Sequence, residues 1–133
     1  MNSARSLISR LVASLATIPD FIPLLHSWDT EPDEKPFVIV SAEFAGSDHP
    51  RLKTLELRVE IVSHRFDTSA ALVDEYEGKI LEHIETKART IAETMLEDGW
   101  QTRAWSDQTP FATPGENRTW ESGFEYRVVL MEI

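Results

Sequence analysis

Four histidines, His26, His49, His64 and His83, are the side chains best suited to hold a metal or move a proton near neutral pH. Their spacing supports neither role. No two stand as HxH, as HExxH or at i,i+4, the spacings that aim two imidazoles at one ion. Asp48 and His49 are adjacent, but they lie in AGSDHP, residues 45–50, a run of turn-forming types. No serine sits in a GxSxG frame, so spacing marks no nucleophile at a strand-to-helix elbow. Neither GxxxxGK[ST] nor GxGxxG is present to cradle a phosphate. The absence of cysteine excludes disulfides, thiolate metal sites and cysteine nucleophiles, and it fits a reducing compartment. Carboxylates are too numerous for spacing to single out an acid–base pair. Glu75, Glu82, Glu85 and Glu93 read as the solvated face of a helix. The residues therefore point away from an enzyme, a cofactor or a metal, and toward contact between proteins.

The bulk properties agree with that direction. The chain has 133 residues, the size of one domain. It is 41% apolar and 27% charged, as a folded protein with one core should be. Twenty-three acidic residues against 13 basic ones give a formal charge of −10. A nucleic-acid binder carries the opposite balance. No apolar run reaches the roughly 20 residues of a membrane span. Residues 1–18 contain Arg5, Arg10, several serines and no acid. A transit peptide and a docked amphipathic helix share that composition.

The elements that must position these residues follow from periodicity. Leu7, Ile8, Leu11, Val12, Leu15 and Ile18 recur at helical spacing. Ser3 offers an N-cap and Pro19 a stop, which predicts a helix over 3–17. Residues 19–36 hold four prolines and read as a loop. Phe21, Ile22, Leu24, Leu25 and Trp28 are too apolar for a free linker, so part of it should pack. FVIVSAEF, 37–44, is a strand, and residues 52–64 form a second. In the second, Leu55, Leu57, Val59 and Ile61 alternate with charged residues, Glu56, Arg58 and Glu60 among them. Thirteen residues span roughly 40 Å at about 3.3 Å each, well beyond an ordinary strand.

Residues 69–97 carry one helical stripe: Val73, Tyr76, Ile80, Ile84, Ala88, Ile91, Ala92 and Met95. Asp67 through Ser69 supply cap candidates, and Gly99 is placed to end the helix. Glu75–Lys79 and Glu85–Arg89 are spaced as i,i+4 ion pairs. WQTRAW, 100–105, and FEYRVVLMEI, 124–133, are strands, the first opened by a core residue, Trp100. Between them, 106–123 is polar, with two prolines and two glycines, and reads as a long loop bordered by Trp105 and Trp120. Aromatic residues there serve as interface anchors or as pins for the loop. The order αββαββ predicts an α+β domain over 1–133: an antiparallel sheet of about four strands with helices packed on one face.

The segment PFVIVSAEFAGSDHPRLKTLELRVEIVSH, 36–64, resembles the tail terminator and tail completion proteins of long-tailed bacteriophages. The likeness lies in a proline, an apolar strand, a small acidic turn, His49-Pro50-Arg51-Leu52 and a long alternating strand. It extends through RFDTSAALVDEYEGKILEHI, 65–84, to the closing hairpin, and covers nearly the whole chain in element order. The resemblance implies a virion component in a six-membered homo-oligomeric ring at the head-proximal end of the tail. It would be made in the bacterial host cytoplasm. Its partners would be the tail tube protein and a neck or head-completion protein, with DNA passing through the lumen without specific binding. No membrane, cofactor, metal or catalysis is implied. Glu56, Arg58 and Glu60 on the long strand, and Phe111, Arg118 and Trp120 in the long loop, are then the expected subunit or tube contacts. The rival reading is an acidic α+β interaction module, of inhibitor or immunity type, that blocks a basic partner as a monomer or dimer.

Overall fold

The structure, a computed structural model, describes residues 2–19, 36–46, 49–64, 70–116 and 118–133. The expected packing of Phe21 through Trp28 and the cap candidates Asp67–Ser69 lie outside the described residues, as do His26 and Asp48.

Helix α1 spans Ser3–Leu15. Its cap is Asn2, not Ser3. Asn2 is extended, and its Oδ1 accepts the Arg5 amide hydrogen at 2.8 Å, while Ser3 is already helical. The helix stops short of residue 17. Thr17 and Ile18 donate to the carbonyls of Ser14 and Leu15, three residues back, and tighten the last turn ahead of Pro19. Leu7, Leu11 and Leu15 form the fully buried stripe.

The remaining elements among the described residues are β1 (Phe37–Gly46), β2 (Leu52–His64), α2 (Ala70–Met95), a 3-10 turn (Leu96–Asp98), β3 (Trp100–Trp105), β4 (Thr109–Pro114) and β5 (Thr119–Glu132). The strands build one antiparallel five-stranded sheet in the order β1-β2-β5-β3, with β4 also paired to β5. Strands β2 and β5 run together without a bulge from Leu52↔Met131 to His64↔Thr119. That register stacks Leu55 beside Val128, Leu57 beside Tyr126 and Val59 beside Phe124. With Val38, Val40 and Ile61 they form the buried floor on which the helices lie.

The length of β2 follows from topology. It ends beside Thr119, whereas β3 begins beside Glu132, at the far end of β5. The chain must travel back along the whole sheet to connect them. Helix α2 does so in 26 residues, about 39 Å at 1.5 Å each, close to the reach of the 13-residue strand beneath it. Val73, Ile80, Ile84, Ile91 and Met95 face the sheet; the α-helix stops at Met95, short of the expected 97, and Gly99, at φ 87°, caps the 3-10 turn that follows it. Helix α1 lies antiparallel to α2. Ser6 and Arg10 reach Asp98, while Ser14 reaches His83. The Glu75–Lys79 pair is present at 3.3 Å, whereas Arg89 turns to Glu93 rather than to Glu85.

The expected long loop over 106–123 is overturned. Residues 109–114 form β4, 119–123 begin β5, and a tight turn joins them. Gly115 N bonds the Thr119 carbonyl at 3.0 Å, Thr119 N bonds the Glu116 carbonyl at 3.1 Å, and Arg118 takes the left-handed conformation at φ 60°. Pro110 and Pro114 are compatible with this strand because it is an edge among the described residues, where an outward N–H has no partner to lose. Strands β3 and β4 part at residues 106–108, where a side chain bridges the ladder. Ser106 N donates to the Arg127 carbonyl at 2.9 Å, and Ser106 Oγ accepts the Arg127 amide hydrogen at 2.7 Å.

Candidate interaction surface

Both helices cover one face of the sheet. The opposite face presents the even-numbered residues of β2 and the odd-numbered residues of β4 and β5. It is apolar and buried at one end, where Phe37 pairs with Val62. Toward the other end it is charged and exposed.

Arg58 organises the centre. Its guanidinium lies 3.9 Å from the centroid of the Phe111 ring. Nη2 meets Glu60 Oε2 at 2.9 Å and Nη1 meets Glu125 Oε1 at 3.5 Å. Arg58 starts on β2 and Phe111 sits on β4, so the side chain crosses β5 to make the stack. Gly123, directly opposite both Glu60 and Phe111, raises no side chain in that row. A Cβ there would collide with the Val59 carbonyl. The Glu60 side chain is only 14% exposed. Burial pushes its carboxyl above the usual range, Glu121 adds to the rise, and Arg58 opposes it.

Glu56 pairs with Arg127 at 3.2 Å, out in solvent. Beside this pair, the parting of β3 and β4 opens a groove of about 450 Å³ lined by Glu56, Ser106, Asp107, Thr109, Glu125, Tyr126 and Arg127. Glu43 stands directly opposite Glu56 on the other flank.

The structure thus brings together Glu56, Arg58, Glu60 and Phe111, four of the six residues expected at an interface. It separates the other two. Trp120 shares the helix-side face with Phe124 and Ser63, and Arg118 sits in the exposed hairpin turn. The grouping of Phe111, Arg118 and Trp120 on one loop is therefore corrected: strand alternation sends Phe111 and Trp120 to opposite faces. Glu125, Arg127 and Gly123 complete the surface and were not singled out. The alternation of FEYRVVL already placed Glu125 and Arg127 on the polar side. Asp107 had no such signal, because the strand break that exposes it is not periodic.

Two of the histidines, His83 and His49, hold structural posts. His83 Nε2 lies 2.7 Å from Ser14 Oγ in a hydrogen bond between the helices, and burial, aided by Lys87, lowers its pKa. His49 Nδ1 accepts the Arg51 amide hydrogen at 3.1 Å in the β1–β2 turn. Among the described residues, no group of three or more His, Asp or Glu side chains is arranged to hold a metal ion, and no helix is long and apolar enough to cross a membrane. The chain matches no protein-family model and no curated protein.

Proposed function

We propose that the chain is a tail terminator or tail completion protein of a long-tailed bacteriophage. Six copies close into a ring that caps the head-proximal end of the tail tube and joins it to the neck, with DNA passing through the lumen unbound. The observation that carries this reading is the order of elements. Helix, hairpin and helix occur in the sequence implied by the resemblance, and the closing β3–β5 pair follows with one further strand, β4, between them; His49-Pro50-Arg51-Leu52 leads from the β1–β2 turn into the long strand. The architecture suits a ring subunit: one face of a long sheet is closed by helices, and the charged part of the other is left for contacts. Both assembly and capping are non-catalytic roles, so the reading needs no cofactor. Electron microscopy of purified particles, with mass spectrometry of their proteins, tests it. The expected result is one ring of this protein at the head-proximal end of each tail. Its absence from intact infectious particles overturns the proposal.

A further inference from the structure

The exposed part of the open sheet face carries more negative charge than the chain neutralises. Glu43 and Glu56 are cross-strand neighbours of like sign, an arrangement that costs stability in a sheet. The two arginines that β2 and β5 place on this face are already engaged: Arg127 with Glu56, and Arg58 with Glu60 and Glu125. The groove beside them sets the carboxylates of Glu56, Asp107 and Glu125 against the single guanidinium of Arg127. Backbone shapes this groove, since it exists because β3 and β4 part where Ser106 bridges to Arg127. The same face shows what such a setting accepts. Arg58 is held there between two carboxylates and an aromatic ring.

We propose that this face docks a basic segment of another protein, with one Lys or Arg side chain of the partner seated in the groove between Glu56, Asp107 and Glu125. Charge complementarity selects the occupant. The identical acidic face of a second copy is repelled, and so is a nucleic acid, whereas a ring joins unlike faces of neighbouring copies. A cationic segment relieves the Glu43–Glu56 opposition and fills the groove in one step. The inference goes beyond the ring reading and does not rest on it.

The test is fluorescence anisotropy of a fluorescein-labelled peptide of alternating arginine and serine, titrated with the full chain at low salt. Two variants with equal loss of charge are compared. One is Glu56→Gln/Asp107→Asn/Glu125→Gln on the open face. The other is Asp74→Asn/Glu82→Gln/Glu93→Gln on the exposed side of α2. The face variant should weaken peptide binding by about tenfold, and the helix variant by less than about twofold. If the face variant unfolds, Asp107→Asn alone, at an exposed position in the strand break, should weaken binding by about threefold. Equal weakening by the two triple variants overturns the proposal, as does no binding by the unaltered chain. Amide shifts induced by the peptide along α2 rather than at residues 56, 107 and 125–127 overturn it too. So does a duplex DNA oligomer that binds more tightly than the peptide.

Discussion

Arg10 grips Asp98 at two points, Nε to Oδ2 and Nη2 to Oδ1, each at 2.9 Å, and so ties α1 to the turn that follows α2. Hydrogen bonds from Arg10, and then from Ser6, hold the Asp98 carboxyl down from the usual 3.8 to about 2. A carboxyl with a depressed folded pKa contributes stability above its unfolded value and loses it as pH falls through the folded one. The melting temperature should therefore decline between about pH 4 and pH 2. Asp98→Asn should melt earlier at pH 6, with the gap to the unaltered chain closing below pH 2. Thermal melts followed by circular dichroism across that range check this, and a gap that stays constant with pH refutes the assignment.

Glu60 should show the opposite sign. Its carboxyl is raised above 4.5 by burial and by Glu121. Stability from such a group is greatest below the unfolded value and falls as pH rises through the folded one. The melting temperature of Glu60→Gln relative to the unaltered chain should accordingly rise from pH 4 to pH 7. A difference that shrinks over that interval would mean that the Arg58 pair outweighs burial.

Substitution at two glycines should act in opposite directions. Alanine at Gly123 must displace the Val59 carbonyl, and should cost about 1–3 kcal/mol, as overpacking does. Alanine at Gly78 meets nothing within 4 Å on the exposed side of α2 and should stabilise by about 0.5–1 kcal/mol. Urea denaturation of the two variants distinguishes them. A neutral Gly123→Ala would show that β2 and β5 can separate locally.

The helix stripe gives the sharpest contrast. Ile80 and Ile84 are each 1% exposed, so Ile80→Asp or Ile84→Asp places an unpaired charge in the core and should prevent folding. Glu82 is exposed, and Glu82→Ala should change stability by about 0.5 kcal/mol or less. Comparable urea midpoints for the three variants would put the buried face elsewhere.

Regular burial made most of the fold legible. Leu55 through Ile61 alternate because one face of β2 is covered along its length, and Val73 through Met95 repeat because α2 lies on that face. Gly99 marked the helix end because the chain takes a conformation there that favours glycine. Strand β4 was missed for a physical reason. It is an exposed edge paired on one side, so neither burial nor a second neighbour imposes a pattern on TPFATP, and its two prolines look like loop punctuation. The same lack of periodicity conceals the candidate surface. By sequence alone Phe111 reads as a loop residue beside Trp120, whereas the β4–β5 register carries it to Gly123 and under Arg58. Replacing residues 109–118 with a Gly-Ser link, harmless in a loop, would here remove a strand from the sheet.

The matched lengths of α2 and β2 restrict how this architecture can vary. A strand without a bulge, as β2 and β5 are, inserts residues without turning its faces over only in pairs, and one pair in each lengthens the sheet by about 6.6 Å. The helix above must then gain about four residues, roughly 6.0 Å, which is close to one full turn and returns its stripe to the sheet. Single-residue insertions satisfy neither rule. Viable relatives of different size should therefore differ in discrete steps, two residues in each long strand accompanied by about four in the helix. Length in this fold behaves as a quantised variable, with helix and strand counted on two rulers that agree only at whole turns.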